Sequence, residues 1–147
     1  MKLEFRKPNP PAKMEDIENY QKKHNIKLPQ DYIDFLLEND GVESTSWMFH
    51  KNNSLYYDKM WVSEFLSVAE LESFAEAFYN ENASFVIREC KKNGAIIIGR
   101  ENPCEISIGI EEHNFGHIFF SCLISDDEMA KVADSFTEFI NGFEYGE

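Results

Sequence analysis

Two histidines and two cysteines are the residues whose types and spacing could support metal binding or nucleophilic chemistry. His113 and His117 form an H-x-x-x-H pair, which on a helix would place both imidazoles where zinc could bind. Here the pair spans a predicted turn between strands, so a zinc site is the weaker interpretation. Cys104 or Cys122 could act as a nucleophile beside a histidine, but both fall in predicted strands, where unactivated buried thiols are commoner.

Other catalytic or ligand-binding motifs are missing from the sequence. It contains no G-x-S-x-G, Walker A or G-x-G-x-x-G segment, so hydrolase and nucleotide-binding functions have no motif in their favour. With Cys90, the cysteines number three and include no C-x-x-C step. That pattern favours reduced, mostly buried thiols over a disulfide framework. We expect no catalytic activity, no bound metal and no cofactor.

Negative charge is concentrated near the end of the chain. The formal charge is -13, and residues 101–147 hold eleven acidic side chains against one base, Lys131. A nucleic-acid backbone needs Lys and Arg to neutralise it, so we expect no nucleic-acid ligand. A basic protein is the more natural partner, although an acidic surface that only keeps the domain soluble explains the same count.

Two acidic clusters flank a predicted hairpin in this segment. They are Glu111 with Glu112, and Asp126 with Asp127 and Glu128. Neither cluster has the basic or metal-binding companion that carboxylate catalysis needs. As solvated loop residues they need no function, whereas as parts of one acidic surface they would speed encounter with a basic protein.

The elements that position these residues begin with two helices. Pro29 and Gly41 bracket a short apolar helix, and Met14, Ile17 and Tyr20 recur at helical spacing before it. The aromatic segments TSWMFH and LYYDKMWVSEFL each predict a strand. The segment SVAELESFAEAFYNE then predicts a helix opened by a capping box, whereas ASFVIREC suits a strand or a helix equally well.

Three apolar runs at residues 95–99, 104–112 and 117–124 predict sheet strands. The middle run alternates apolar and polar residues and is predicted to be half buried. In the turn after it, Asn114 and Gly116 are the residues that tolerate positive φ.

A helix that starts after Ser135, with Glu138 as its capping-box partner, closes the chain. Its apolar face consists of Phe136, Phe139, Ile140 and Phe143. The length of 147 residues and a hydrophobic fraction of 43% predict one globular domain over residues 1–147. Because no apolar run reaches signal-peptide or membrane-span length, we expect a cytoplasmic protein without membrane contact.

Three of these segments together resemble the SMI1/KNR4 family, also called the SUKH superfamily. They are IKLPQDYIDFLLENDG near the start, GHIFF in the sheet and ADSFTEFINGF at the end. The similarity spans essentially the whole chain and rests on the order and spacing of the segments. One departure is that Gly41 is followed by Val42, where the family commonly has a second glycine.

This resemblance implies an α+β fold with an N-terminal helix pair, a central and mostly antiparallel sheet and a closing helix. It also implies a non-enzymatic bacterial immunity protein that binds and neutralises a cognate polymorphic toxin. On this basis the five clustered carboxylates at positions 111, 112, 126, 127 and 128 are candidate toxin-binding residues, facing a basic, nuclease-type toxin. Fungal relatives imply an alternative, a regulatory protein-interaction module in cell-wall signalling, and a small-molecule-binding domain is a weaker third hypothesis.

Overall fold

The computed structural model describes residues 5–7, 9–44, 48–50, 60–77, 85–101, 104–122 and 129–145. Its helices are α1 (Met14–His24), α2 (Gln30–Glu38), α3 (Val68–Ala77), α4 (Phe85–Lys92) and α5 (Phe136–Asn141). Its strands are β1 (Phe5–Arg6), β2 (Val42–Ser44), β3 (Met48–His50), β4 (Met60–Trp61), β5 (Glu64–Phe65), β6 (Ala95–Glu101), β7 (Cys104–Gly109), β8 (Ile118–Cys122), β9 (Ala130–Ala133) and β10 (Phe143–Tyr145). The α+β class predicted from the sequence is confirmed. No helix in these ranges has the length and apolar character needed to cross a membrane.

The helix pair forms as predicted, with small shifts at its ends. Helix α1 stops at Asn25, which takes the left-handed conformation at φ 52°, and α2 starts directly after Pro29. Ile17 and Tyr32 are fully buried between these helices and the sheet. Gly41, at φ 75°, lies beyond the end of α2, in the turn into β2.

The described strands form two antiparallel sheets. Seven lie in the order β1-β2-β5-β6-β7-β8-β9, and three lie in the order β10-β3-β4. The single strand predicted for LYYDKMWVSEFL is therefore wrong, because this segment supplies β4 to the small sheet and β5 to the large one. The segment ASFVIREC, whose sequence suited a strand or a helix equally well, forms a helix, since it contains most of α4.

One face of the large sheet carries an aromatic core. The Phe65 ring lies 5.3 Å from the Phe35 ring of α2 and 6.0 Å from the Phe136 ring of α5. Phe139 is fully buried and Phe143 is 2% exposed, so the predicted sealing role of the closing segment is confirmed. Phe143 makes this contact from β10 rather than from the helix.

The opposite face of β7 is also buried, which corrects the prediction of a half-buried strand. Ser107 is 1% exposed because α4 packs over it, with the fully buried Cys90 thiol against its hydroxyl. Alternation with serine and glycine resembles a solvated face, but these side chains are small enough to lie under a helix. Strand β7 is consequently held in place on both sides, and the loop that follows it starts from a rigid base.

Candidate functional site

The β7–β8 loop, residues 110–117, carries the acidic cluster predicted before the hairpin. Its first part is a 3₁₀ turn over Glu112–Asn114. The Gly116 amide donates to the Gly109 carbonyl at 3.0 Å, and the Gly109 amide donates to the His117 carbonyl at 2.8 Å. These bonds close the loop at its base, where a tight turn requires the φ of 83° found at Gly116.

The Asn114 side chain braces this loop from inside, a role that the sequence analysis missed. Its Oδ1 accepts a hydrogen bond from the Glu111 amide at 3.0 Å. Its Nδ2 donates to the main-chain oxygens of Asn93 at 2.7 Å and Gly94 at 3.2 Å. Of the two turn residues that tolerate positive φ, Gly116 adopts it and Asn114 does not, and the Asn114 side chain is only 4% exposed.

The two carboxylates of the loop differ in their contacts. Glu111 caps the 3₁₀ turn by accepting from the Asn114 amide, and its side chain lies over Gly94, where an added Cβ would come within 2.3 Å of it. Glu112 is exposed and makes no hydrogen bond or ion pair within the described part of the chain. Glu112 is therefore the freer of the two to meet a partner.

Phe115 follows this acidic pair on the same loop, with 41% of its surface exposed. Both of its neighbours, Asn114 and Gly116, are buried. Among the residues whose burial the structure describes, the one other large apolar side chain with comparable exposure is Met14, at 40%. The loop thus presents an aromatic ring and a carboxylate from a backbone that is fixed by hydrogen bonds.

Two hollows border the loop. The first, of about 250 Å³, is lined by Glu111 together with residues of the α1–α2 connection and α4, among them Ile26 and Lys91. The second, of about 280 Å³, is lined by residues that include His113, Asn114 and His117. Residues of the β7–β8 loop therefore line two separate concavities.

His113 and His117, the candidate metal ligands, do not belong to a set of three potential ligands in the described residues. His113 and His117 line the same hollow, but no group of three or more His, Cys, Asp or Glu side chains in these ranges is arranged to hold a metal ion. The absence of a bound metal remains a prediction.

The cysteines depart from the prediction at one position. Cys90 is free and buried, as expected, and burial raises the pKa of its thiol to about 12. Cys104 is disulfide-bonded, so the prediction of a reduced thiol there is wrong. Cys122 lies directly across from Cys104 in the β7–β8 ladder. This opposition depends on strand register, which the spacing of the cysteines along the chain does not reveal.

The second acidic cluster, Asp126, Asp127 and Glu128, lies outside the described residues. The strand that leads towards it, β8, starts at Ile118 beside the loop and ends at Cys122. Five strand residues span about 16 Å at 3.3 Å per residue. Whether the two clusters share a surface stays a prediction, and the candidate site is the β7–β8 loop alone.

A row of charged residues crosses the sheet at its other end. The Arg100 guanidinium pairs with Glu64 and lies 3.6 Å from the Glu70 carboxylate. Glu105, next to Arg100 on β7, has a buried Oε2 without a hydrogen-bond partner. Burial raises the pKa of Glu105 to about 7, against an opposing effect of Arg100. This carboxyl, which the sequence analysis passed over, is a titrating group of the fold near neutral pH.

Taken together, the fold and the site define an α+β protein with a braced, exposed and acidic loop at one end of an antiparallel sheet. The chain belongs to the SMI1/KNR4 family (SUKH-1), whose model matches residues 11–142. No curated protein matches the chain closely enough to count as a relative. Membership in this family is consistent with a role in toxin immunity and with binding to a protein partner.

Proposed function

We propose that this protein is an immunity protein that neutralises a cognate bacterial toxin by binding it and covering the surface the toxin needs. Its action is stoichiometric and involves no catalysis. The observation that carries the proposal is the β7–β8 loop, in which the exposed Glu112 lies on a backbone fixed by the buried Asn114 side chain. A loop already held in one conformation loses little entropy when it binds.

The proposed toxin is basic at its contact surface. A nuclease domain needs Lys and Arg to hold a phosphate backbone, so its substrate-binding face is positively charged. This protein has a formal charge of -13 and presents Glu111 and Glu112 at an exposed loop. Opposite charges on two surfaces accelerate encounter and disfavour partners with the wrong charge.

The test is co-production with a candidate toxin domain, and a toxin gene adjacent to the gene for this protein would supply that candidate. Cells that make the toxin domain should survive when they also make this protein, and the two should co-purify as a stoichiometric complex. A regulatory interaction module would instead bind endogenous proteins and give no protection. Absence of both protection and binding would overturn the proposal.

A further inference from the structure

We infer that Phe115 is the anchor of the toxin interface and that it enters an apolar pocket rimmed by Arg or Lys side chains on the toxin. This inference rests on the proposed function and adds the residue and the chemistry of its partner. The sequence analysis did not single out Phe115, because an aromatic residue in a turn-like segment has no distinctive pattern.

The Phe115 ring is exposed on a backbone that is held in place on both sides of it. Phe115 is 41% exposed although the residues on either side of it are buried. The backbone at Gly116 is tied to Gly109 at 3.0 Å, and the Asn114 side chain is bound to Asn93 at 2.7 Å. The ring is therefore held outward by a fixed backbone, and binding need not first order the loop.

Phe115 differs from Met14, the other exposed large apolar residue whose burial the structure describes, in its chemistry and its surroundings. Met14 is the first residue of α1 and has a similar exposure, 40%. A single exposed apolar residue at a helix end is ordinary on a protein surface. Phe115, by comparison, is an aromatic residue next to carboxylates, and aromatic side chains are common among the residues that dominate binding energy.

The Phe115 ring and the Glu112 carboxylate together indicate the chemistry of the partner. A guanidinium or ammonium group is attracted to the face of an aromatic ring and to a carboxylate. Glu112 supplies that carboxylate three positions before Phe115, on the same loop and without a described partner of its own. A cationic rim around an apolar pocket thus satisfies both side chains at once.

The hollows that border the loop suit a loop that is inserted into a pocket of the partner. Glu111 lines the hollow of about 250 Å³, and His113 lines the hollow of about 280 Å³. When Phe115 enters a pocket, the walls of that pocket have room to enter these hollows. The combination gives interlocking shapes rather than contact between two flat surfaces.

The experiment measures dissociation of the toxin domain from wild type, Phe115→Ala and the matched control Met14→Ala. We expect Phe115→Ala to dissociate at least about 30-fold faster, the change typical of an interface anchor, and Met14→Ala to stay within about twofold. Phe115→Trp should retain slow dissociation, since it keeps an aromatic ring. Thermal unfolding of each variant checks that the fold is intact.

The outcomes separate the inference from the proposed function. Wild-type dissociation by a folded Phe115→Ala variant overturns the inference and leaves the immunity function standing. A wild-type protein that does not bind the toxin domain overturns both. Equal losses in Phe115→Ala and Met14→Ala also contradict an anchor at Phe115.

Discussion

The Asn114 side-chain amide donates a hydrogen bond to the main-chain oxygen of Asn93, 21 positions earlier, at 2.7 Å. This contact joins the β7–β8 loop to the turn between α4 and β6. It explains how a loop with an exposed ring and exposed carboxylates holds a fixed shape.

Replacing Asn114 with Ala should destabilise the protein by about 1–3 kcal/mol, because the buried Asn114 side chain makes three hydrogen bonds that alanine cannot make. The Glu111 amide and the Asn93 carbonyl are the groups affected. Urea unfolding measures the loss, and amide hydrogen exchange should become faster in residues 110–117 than in β7. Unchanged stability and exchange would show that the side chain does not brace the loop.

Replacing Phe139 with Ala should cost about 3–5 kcal/mol, since a large cavity opens in the aromatic core. The Phe139 side chain is fully buried, and its ring lies 4.8 Å from the Phe143 ring. Phe115→Ala is the matched control, because it removes the same atoms from an exposed position and should change stability by less than about 0.5 kcal/mol. Equal unfolding midpoints for the two variants would contradict the assigned packing.

Glu105 should make stability depend on pH. Its pKa is about 7 in the fold against an ordinary value of 4.5, so the folded state favours the neutral carboxyl. The stabilisation of the neutral form is complete below pH 4.5, falls as the pH rises towards 7 and is lost above it. Glu105→Gln keeps a neutral side chain at every pH.

Urea unfolding of wild type and Glu105→Gln between pH 4 and pH 8 tests this linkage. The variant should gain stability relative to wild type as the pH rises, and the gain should level off above about pH 7. A constant difference between the two proteins across this range would mean that Glu105 does not titrate as described.

Local sequence patterns predicted much of the fold. The capping box at the start of α3 forms in full, with the Ser67 amide and the Glu70 amide each bonded to the other residue's side chain at 3.1 Å. At α5 the Ser135 hydroxyl accepts from the Glu138 amide, but the Glu138 carboxylate accepts from the Asp134 amide instead. Such caps and helical faces depend on neighbours in the chain, and sequence spacing reveals them.

The features that the sequence did not reveal depend on contacts between distant segments. The opposition of Cys104 and Cys122 in neighbouring strands follows from strand register, and the buried role of Asn114 follows from its contact with Asn93. Glu111 and Glu112 are exposed on one loop, as their place in a turn-like segment suggested, and their role in binding stays a prediction. The exposure of Phe115 follows from the way its neighbours are held, which no local pattern encodes.

The predicted contribution of Asp126, Asp127 and Glu128 has its own test. If these residues belong to the steering surface, changing all three to Ser should slow association with the toxin domain at low salt, because long-range attraction is lost. A wild-type rate and a wild-type salt dependence would remove them from the interface and leave solubility as their role.

The most direct test of the central claim is the association rate with the toxin domain at about 0.01 M and about 0.15 M salt, where charges are screened over about 30 Å and 8 Å. The proteins compared are wild type, a Glu111→Gln/Glu112→Gln variant that keeps the hydrogen-bonding oxygens, and a control with Glu15 and Glu18, both exposed on α1, changed to Gln. We predict that wild type and the control associate quickly at low salt and slow down steeply at high salt. The loop variant should associate several-fold more slowly at low salt and approach wild type at high salt. No measurable association of wild type, or equal rates for all three proteins at both salt concentrations, would contradict the account.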